Sequence, residues 1–175
     1  SIWNKNSCSL TNSMAARSIK KAFNALPRLN RNIKDYGARE LIAESSLLAG
    51  LSISHTRTAI CHSISYPLTA HFGINHGIAC AFTMFSVAKK VNKFEPAYLK
   101  EIARLIDLKS SDELVEKIGY LTKILEVKKI VKKSLPDNFK LSTLIEEMIT
   151  PGRSDNFILK VDQELIQDIL KESLI

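Results

Sequence analysis

The sequence lacks the long apolar run of a membrane-spanning helix and has too few cysteines for a disulfide scaffold. Its longest strongly apolar run, 78–88, is far shorter than the roughly 18 residues that a spanning helix needs. Only 3 cysteines occur in 175 residues, without paired spacing, which favours a reducing, cytoplasmic setting. Glycine and proline are scarce, and 45% of the residues are hydrophobic, which excludes collagen-like and disordered chains. We expect one domain over residues 1–175.

Acidic residues are also fewer than basic ones, 18 against 25, which gives a net charge of +7. This balance is consistent with an anionic partner or with solubility alone. The densest group of lysines lies in 123–133, where aliphatic residues interrupt it, as in an amphipathic helix with a solvated basic face. Because aromatic residues and a helix-turn-helix signature are lacking there, we predict no nucleic-acid partner.

Strand patterns are lacking as well, since no stretch alternates convincingly with period two and nearly every segment has helical periodicity. The first helix is predicted to run to about Asn30, unless Pro27 ends it early. The second is predicted to bury Ser45, Leu48 and Leu51. Helix starts are predicted at Thr11, Asn12 or Ser13, near Asp35, at Ser110 with Glu113 in a capping box, and near Asp162. The fold class is therefore an all-α multi-helix bundle.

The middle of the chain has almost no charge. Residues 45–88 hold a single formal charge, Arg57, together with all four histidines, His55, His62, His71 and His76. Helices that are apolar on all sides are buried at the centre of a fold, and polar groups there need partners. The segment therefore predicts a site, although a core with satisfied histidines is the alternative for each histidine taken alone.

His62 and His76 form the best candidate pair for a metal ion. On one unbroken helix they would lie about 21 Å apart, too far for one ion. However, Pro67 and the stretch 73–75 predict that the helix ends near Phe72 and restarts at His76, which lets the second helix fold back. Cys80 lies four residues after His76 and, like Cys61, has the chemistry to chelate. We interpret both cysteines as core packing because their neighbours are apolar.

Two imidazoles do not complete a catalytic ion site, because zinc or ferrous iron normally takes at least three protein ligands. No carboxylate stands four residues before any of these histidines. The nearest acidic residues, Glu40 and Glu44, are better explained as charges on an exposed helix face. The sequence therefore predicts an incomplete metal site.

Three segments resemble one protein family. They are AGLSIS (49–54), CHSISYPL (61–68) and NHGIACA (75–81). Together they are similar to the iron-containing (group III) alcohol dehydrogenases, in which a histidine is followed after thirteen residues by a second histidine and a glycine. His62 and His76 match these two metal-ligand positions. The resemblance covers most of the chain.

The resemblance implies a fold and a set of cofactors. The family has an N-terminal nucleotide-binding α/β domain followed by an all-α metal-binding domain, and this chain is similar to the helical domain alone. Two further ligands, in an Asp-x-x-x-His motif, are expected to precede the chain. The cofactors implied for the full-length protein are Fe²⁺ or Zn²⁺ and NAD(P), with weak or absent metal binding by the fragment. No Gly-rich phosphate loop occurs in this sequence.

The resemblance also implies roles for other side chains. Tyr66 stands where many members carry a second histidine near the nicotinamide, so it is the candidate catalytic and cofactor-binding residue. Arg57 and His71 resemble the branch that acts on aldehydes bearing a phosphonate, and they are the candidate substrate contacts. A helix C-cap or an ion pair is the alternative for Arg57, and a solvent-facing or satisfied side chain is the alternative for His71.

The functional hypothesis is the C-terminal domain of a metal-dependent, NAD(P)-linked alcohol dehydrogenase or aldehyde reductase, inactive as the isolated fragment. Its partners would be a small alcohol or aldehyde, the nucleotide-binding domain and, as a further possibility, a second copy of the chain. The alternative is an orphan helical module from a split or decayed gene, with an interaction role or none. Whether the chain is itself an enzyme stays open at this stage.

Overall fold

The computed structural model describes residues 1–175 and confirms the all-α prediction. The helices are α1 (Ser9–Arg31), α2 (Tyr36–Thr56), α3 (Ile60–Phe72), α4 (His76–Phe82), α5 (Met84–Phe94), α6 (Pro96–Leu105), α7 (Ser111–Ile124), α8 (Val127–Ser134), α9 (Ile145–Met148) and α10 (Gln163–Leu174). Two 3₁₀ turns, Leu141–Leu144 and Ser154–Asn156, lie on either side of α9. None of these helices is long and apolar enough to cross a lipid bilayer.

Three of the four predicted helix starts are confirmed. The side chains of Asp35, Ser110 and Asp162 each accept a hydrogen bond from the backbone N–H three residues further on, which satisfies a donor that the first turn leaves free. The predicted start of α1 is late, because the helix begins at Ser9 and Cys8 is its N-cap. Thr11 lies inside the first turn, where its Oγ1 accepts from the Cys8 N–H.

Helices α1 and α2 form a long antiparallel hairpin. Ser52 Oγ donates to Thr11 O near its open end, and the hydroxyls of Ser18 and Ser45 pair in its middle. At the closed end the Arg28 guanidinium binds the Asp35 carboxylate through two hydrogen bonds. Small serine side chains allow the two backbones to approach closely, which explains why this helix pair is bonded through hydroxyls rather than through large apolar residues.

The outer face of α2 differs from the prediction. Ser45 is buried as predicted, but Leu48 is half-buried and Leu51 is 45% exposed. Leu47 beside them is 65% exposed, and His55 is exposed as well. The expectation that all of 45–88 lies at the centre of the fold is therefore wrong for the second half of α2. Helix α3, in contrast, has seven buried residues, all between Ile60 and Leu68.

The remaining helices enclose the hydrophobic core, which is one cluster of 32 buried residues. Helix α5 packs against α6, α7 and α10, and α1 packs against α6 and α7. Helix α3 packs against α4 and α9, and α4 also packs against α8. The fully buried side chains of Ile60, Ile64 and Leu68 form the inner stripe of α3 at helical spacing. Because this stripe is buried, the opposite side of α3 is held in a defined position at the surface.

Candidate metal centre

The break between α3 and α4 occurs where the sequence predicts it. Helix α3 ends at Phe72, and Gly73 follows in the left-handed region with φ of 62°, a conformation that favours glycine. Asn75 then caps α4 by accepting a hydrogen bond from the Gly77 N–H at 3.1 Å. The chain reverses across these three residues, so that α4 returns along α3.

This reversal brings the two candidate ligands together. The imidazole centroids of His62 on α3 and His76 on α4 are 5.5 Å apart, with the ring planes at 61°. Cys80, one helical turn after His76, completes a cluster in which one donor atom from each residue lies within 4.8 Å of the others. The donor chemistry of this cluster fits a divalent transition metal ion, for which imidazole nitrogen and thiolate sulfur are common ligands.

The electrostatics at His62 favour the neutral imidazole that a metal ion requires. Burial lowers the pKa of His62 to about 4, and the nearby positive charge of Arg153 acts in the same direction. At neutral pH the ring nitrogen therefore keeps a free lone pair. Sequence patterns gave no indication of this proximity to Arg153, which lies 91 positions later in the chain.

Tyr66 and Arg153 form a second layer beside the histidines. Tyr66, one turn after His62 on α3, stacks on the His76 ring with a centroid separation of 5.7 Å. The Arg153 guanidinium carbon lies 4.2 Å from the centroid of the Tyr66 ring, in cation–π contact. The half-buried Arg153 is thus a candidate functional residue that the sequence analysis missed, since an isolated arginine in a loop has no periodic or motif signal.

Ser63 explains how the loop carrying Arg153 reaches this position. Its buried hydroxyl donates to Met148 O at the end of α9 and accepts from the Thr150 N–H. Thr150 O in turn accepts from the Arg153 N–H, which completes a tight turn. Residue 63 directly follows His62, so the same stretch of α3 that carries a candidate ligand also holds the loop of the guanidinium.

Arg57 and His71 are not in this cluster. Arg57 is the exposed C-cap of α2, with φ of 62°, and its carbonyl accepts hydrogen bonds from Asn4 and Thr56. His71 faces solvent and its Nε2 donates to Glu147 Oε2 at 2.7 Å. These are the arrangements that the sequence analysis offered as alternatives, so the substrate contacts of both residues remain predictions.

The two candidate cysteines have different environments. Cys61 is buried on the core side of α3, and desolvation raises its pKa to about 12, which makes it a packing residue as predicted. Cys80 is only half-buried and belongs to the histidine cluster. Burial raises its pKa, and the hydrogen bond with the Ser65 hydroxyl at 3.2 Å offsets part of this shift, because that hydroxyl can donate to the thiolate.

The lysine-rich segment forms a groove elsewhere on the surface. Five lysines of α7 and α8 share an opening of about 980 Å³ with Phe85 and Tyr120, so aromatic residues do accompany them in three dimensions. Glutamates also line this groove, and Glu126 pairs with Lys129. The lining therefore mixes both signs of charge rather than forming an uninterrupted basic strip.

Comparison with known proteins identifies the family. A model described as the Fe-containing alcohol dehydrogenase family, C-terminal, matches residues 1–174. The chain belongs to this family. Its helical fold is that of the C-terminal part of a solved sulfoacetaldehyde reductase from Bifidobacterium kashiwanohense, with a TM-score of 0.82 and 24% identity over 98% of this chain and 46% of the other.

Curated relatives match shorter parts of the chain. The phosphonoacetaldehyde reductase of Streptomyces viridochromogenes is 35% identical over 66 residues, or 38% of this chain and 17% of the relative. An NADPH-dependent butanol dehydrogenase from Clostridium saccharobutylicum is 32% identical over 105 residues, or 59% of this chain and 27% of the relative. The present chain thus covers about half the length of the solved relative and a smaller share of the curated relatives.

Proposed function

We propose that this chain is the metal-binding part of a metal-dependent, NAD(P)-linked alcohol dehydrogenase or aldehyde reductase, and that His62 and His76 bind the ion, Fe²⁺ or Zn²⁺. The observation that carries the proposal is the pair of imidazoles on two different helices, with centroids 5.5 Å apart and His62 held neutral by burial. Membership of the iron-containing alcohol dehydrogenase family supports the same chemistry. When bound, such an ion acts as a Lewis acid on a substrate oxygen.

Tyr66 is proposed to face the nicotinamide of the cofactor. Its ring contacts both the His76 imidazole and the Arg153 guanidinium, and these two contacts orient it before a cofactor arrives. A phenol hydroxyl can hold or transfer a proton, which suits the interconversion of an alcohol and an aldehyde. We propose that the isolated chain has no dehydrogenase activity, because hydride transfer requires a bound nicotinamide and no phosphate-binding loop occurs in this sequence.

Arg153 favours a small aldehyde that carries an anionic group. Its guanidinium is half-buried beside the metal cluster and is stacked on an aromatic ring rather than paired with a carboxylate. Because no carboxylate is bound to this guanidinium, its N–H groups are free to bind an oxyanion through two hydrogen bonds. A phosphonate or sulfonate is the matching substituent, as in the names of two of the relatives.

The substrate assignment predicts that Arg153 and Arg57 respond differently to substitution. Methylphosphonate binding to the Zn²⁺-loaded chain, followed by NMR chemical-shift titration, is expected to weaken about 10- to 100-fold in Arg153→Ala, because a hydrogen bond to a charged group contributes about 1.5–3 kcal/mol. Arg57→Ala is the control and is expected to leave the affinity unchanged. If Arg57→Ala alone weakened methylphosphonate binding, Arg57 rather than Arg153 would be the residue that binds the anionic group.

The metal assignment predicts a loss of metal affinity in His62→Ala. Equilibrium dialysis against Zn²⁺ or, without oxygen, Fe²⁺, followed by elemental analysis, is expected to show at least a 100-fold weaker dissociation constant, because even the loss of a group that orients a ligand costs about 10- to 100-fold. His55→Ala is the matched control, since His55 is exposed and its Nδ1 bonds to Leu51 O within its own helix. Tight metal binding by the wild type that is unchanged in His62→Ala would refute the assignment.

The exposed apolar face of α2 favours a second candidate function, that of a helical interaction module without catalysis. Leu47 and Leu51 lie one turn apart on this face and are 65% and 45% exposed. A module of this kind has no need of the histidine pair. The dialysis experiment therefore separates the two functions, because only the dehydrogenase proposal requires that His62 affect metal binding.

A further inference from the structure

The lysine-rich groove has no role in the proposed function and lies apart from the metal centre. It is the opening of about 980 Å³ bounded by residues of α5, α7, α8 and α10, and none of the histidines lines it. A smaller depression of about 580 Å³ shares Tyr120, Lys123 and Glu126 with it. Sites for small molecules typically have volumes of about 300–1,000 Å³. The groove is therefore large enough to bind an organic ligand.

The floor of the groove is apolar and largely aromatic. Phe82 and Val127 are buried beneath it, whereas Phe85 and Tyr120 are 36% and 56% exposed. Gly119 allows the Phe85 ring to lie directly against α7, because a β-carbon at position 119 would be only 2.7 Å from a carbon of this ring. Exposed apolar surface of this kind favours a ligand that removes it from water.

The hydroxyls beside this floor already have hydrogen-bond partners. Ser86 Oγ and Ser173 Oγ are 2.8 Å apart, and Ser173 Oγ donates to Ile169 O. Thr122 Oγ1 donates to Gly119 O within its own helix. A sugar or another polar ligand would have to compete with these bonds. The floor therefore favours a hydrocarbon chain over a ligand that is rich in hydroxyl groups.

The rim of the groove carries an excess of unpaired positive charge. Two of its glutamates are already paired, Glu126 with Lys129 and Glu172 with two lysines of α5, so that Glu116 alone has no lysine partner. The lining lysines without a carboxylate at ion-pair distance or another hydrogen-bond partner are Lys123, Lys132 and Lys133. Because the excess is small, the rim suits a ligand with a single negative charge better than a polyanion.

We propose that this groove binds a long-chain fatty acid, with the hydrocarbon chain on the aromatic floor and the carboxylate bound by the unpaired lysines of the rim. The site goes beyond the proposed function, since it requires neither a metal ion nor a nicotinamide. A lysine ammonium is a point charge on a flexible stem, which suits a carboxylate at the edge of an apolar surface. The glutamates in the lining disfavour a nucleic acid, whose backbone carries a charge at every phosphate.

Titration of the isotope-labelled chain with dodecanoate, below the concentration at which it forms micelles, tests the site by NMR chemical shifts. The backbone amides of Gly119 and Tyr120 are expected to shift and to saturate. Acetate has the charge without the chain, and dodecyltrimethylammonium has the chain with the opposite charge. Both are expected to bind at least about 10-fold more weakly than dodecanoate, because each lacks one of the two interactions.

Reversal of charge at the rim tests the lysines. A chain carrying both Lys123→Glu and Lys132→Glu is expected to bind dodecanoate at least about 5-fold more weakly, because each change removes an attraction and adds a repulsion at an exposed site. Lys100→Glu is the matched control, since Lys100 is exposed on α6 and does not line the groove. Its affinity for dodecanoate is expected to be unchanged, and circular dichroism checks the fold of each variant.

Four results would overturn the inference. They are an absence of shifts at the groove amides, equal affinity for the two dodecyl amphiphiles, equal affinity for acetate and dodecanoate, and equal affinity of the rim variant and the Lys100→Glu control. Tighter binding of a thymidine oligonucleotide than of dodecanoate would assign the groove to single-stranded DNA instead. None of these results bears on His62 and His76, because the groove and the metal centre share no residue.

Discussion

Replacing Phe157 with alanine is expected to lower the free energy of unfolding by about 3–5 kcal/mol, the range for truncating a buried phenylalanine. The side chain is fully buried in the main core cluster. Its backbone forms the single β-bridge of the structure, with Asn4, and the next residue donates from its N–H to Trp3 O. The substitution therefore opens a cavity where the N-terminal segment meets the loop that carries Arg153.

Urea unfolding followed by circular dichroism measures this change, with the free energy obtained by linear extrapolation. Phe94→Ala is the matched control, because Phe94 is 55% exposed at the end of α5 and its truncation leaves no cavity. We expect its effect to stay within about 0.5 kcal/mol. Equal losses in the two variants would show that Phe157 is not an anchor of the fold.

The fold was predictable from the sequence wherever a local signal acts within one turn of a helix. Asp35, Ser110 and Asp162 each bind a backbone N–H three residues away, so their effect does not depend on the rest of the chain. Gly73 belongs to the same class, because its left-handed conformation ends α3 whatever packs around it. The break that brings His62 and His76 together therefore follows from a few adjacent residues.

The parts of the site that depend on packing were not predictable in this way. Arg153 reaches Tyr66 only because Ser63 binds the end of α9 and the Thr150 N–H, contacts between residues 85 and 87 positions apart. Cys80 has apolar neighbours in the sequence, which favoured a core role, and only the fold shows that it faces the histidines. The apolar composition of α2 likewise does not reveal which side of the helix packs against the rest of the chain and which side is exposed.

Saturating Zn²⁺ is expected to stabilise the chain by about 2.7 kcal/mol when the free ion is 100 times its dissociation constant, because the ion binds the folded state and the unfolded chain disperses the two histidines. For a domain of this size the shift in melting temperature is about 5–10 °C. Differential scanning calorimetry with and without Zn²⁺ measures it, and excess EDTA is expected to reverse it. His76→Ala is expected to lose most of the shift, since His76 contacts both other members of the cluster.

His71→Ala is the control that separates metal binding from a general effect of removing a histidine. His71 is exposed on α3 and bound to Glu147, outside the cluster, so its replacement is expected to leave the zinc-dependent shift unchanged. A shift of the same size in His76→Ala and wild type would mean that zinc binds elsewhere.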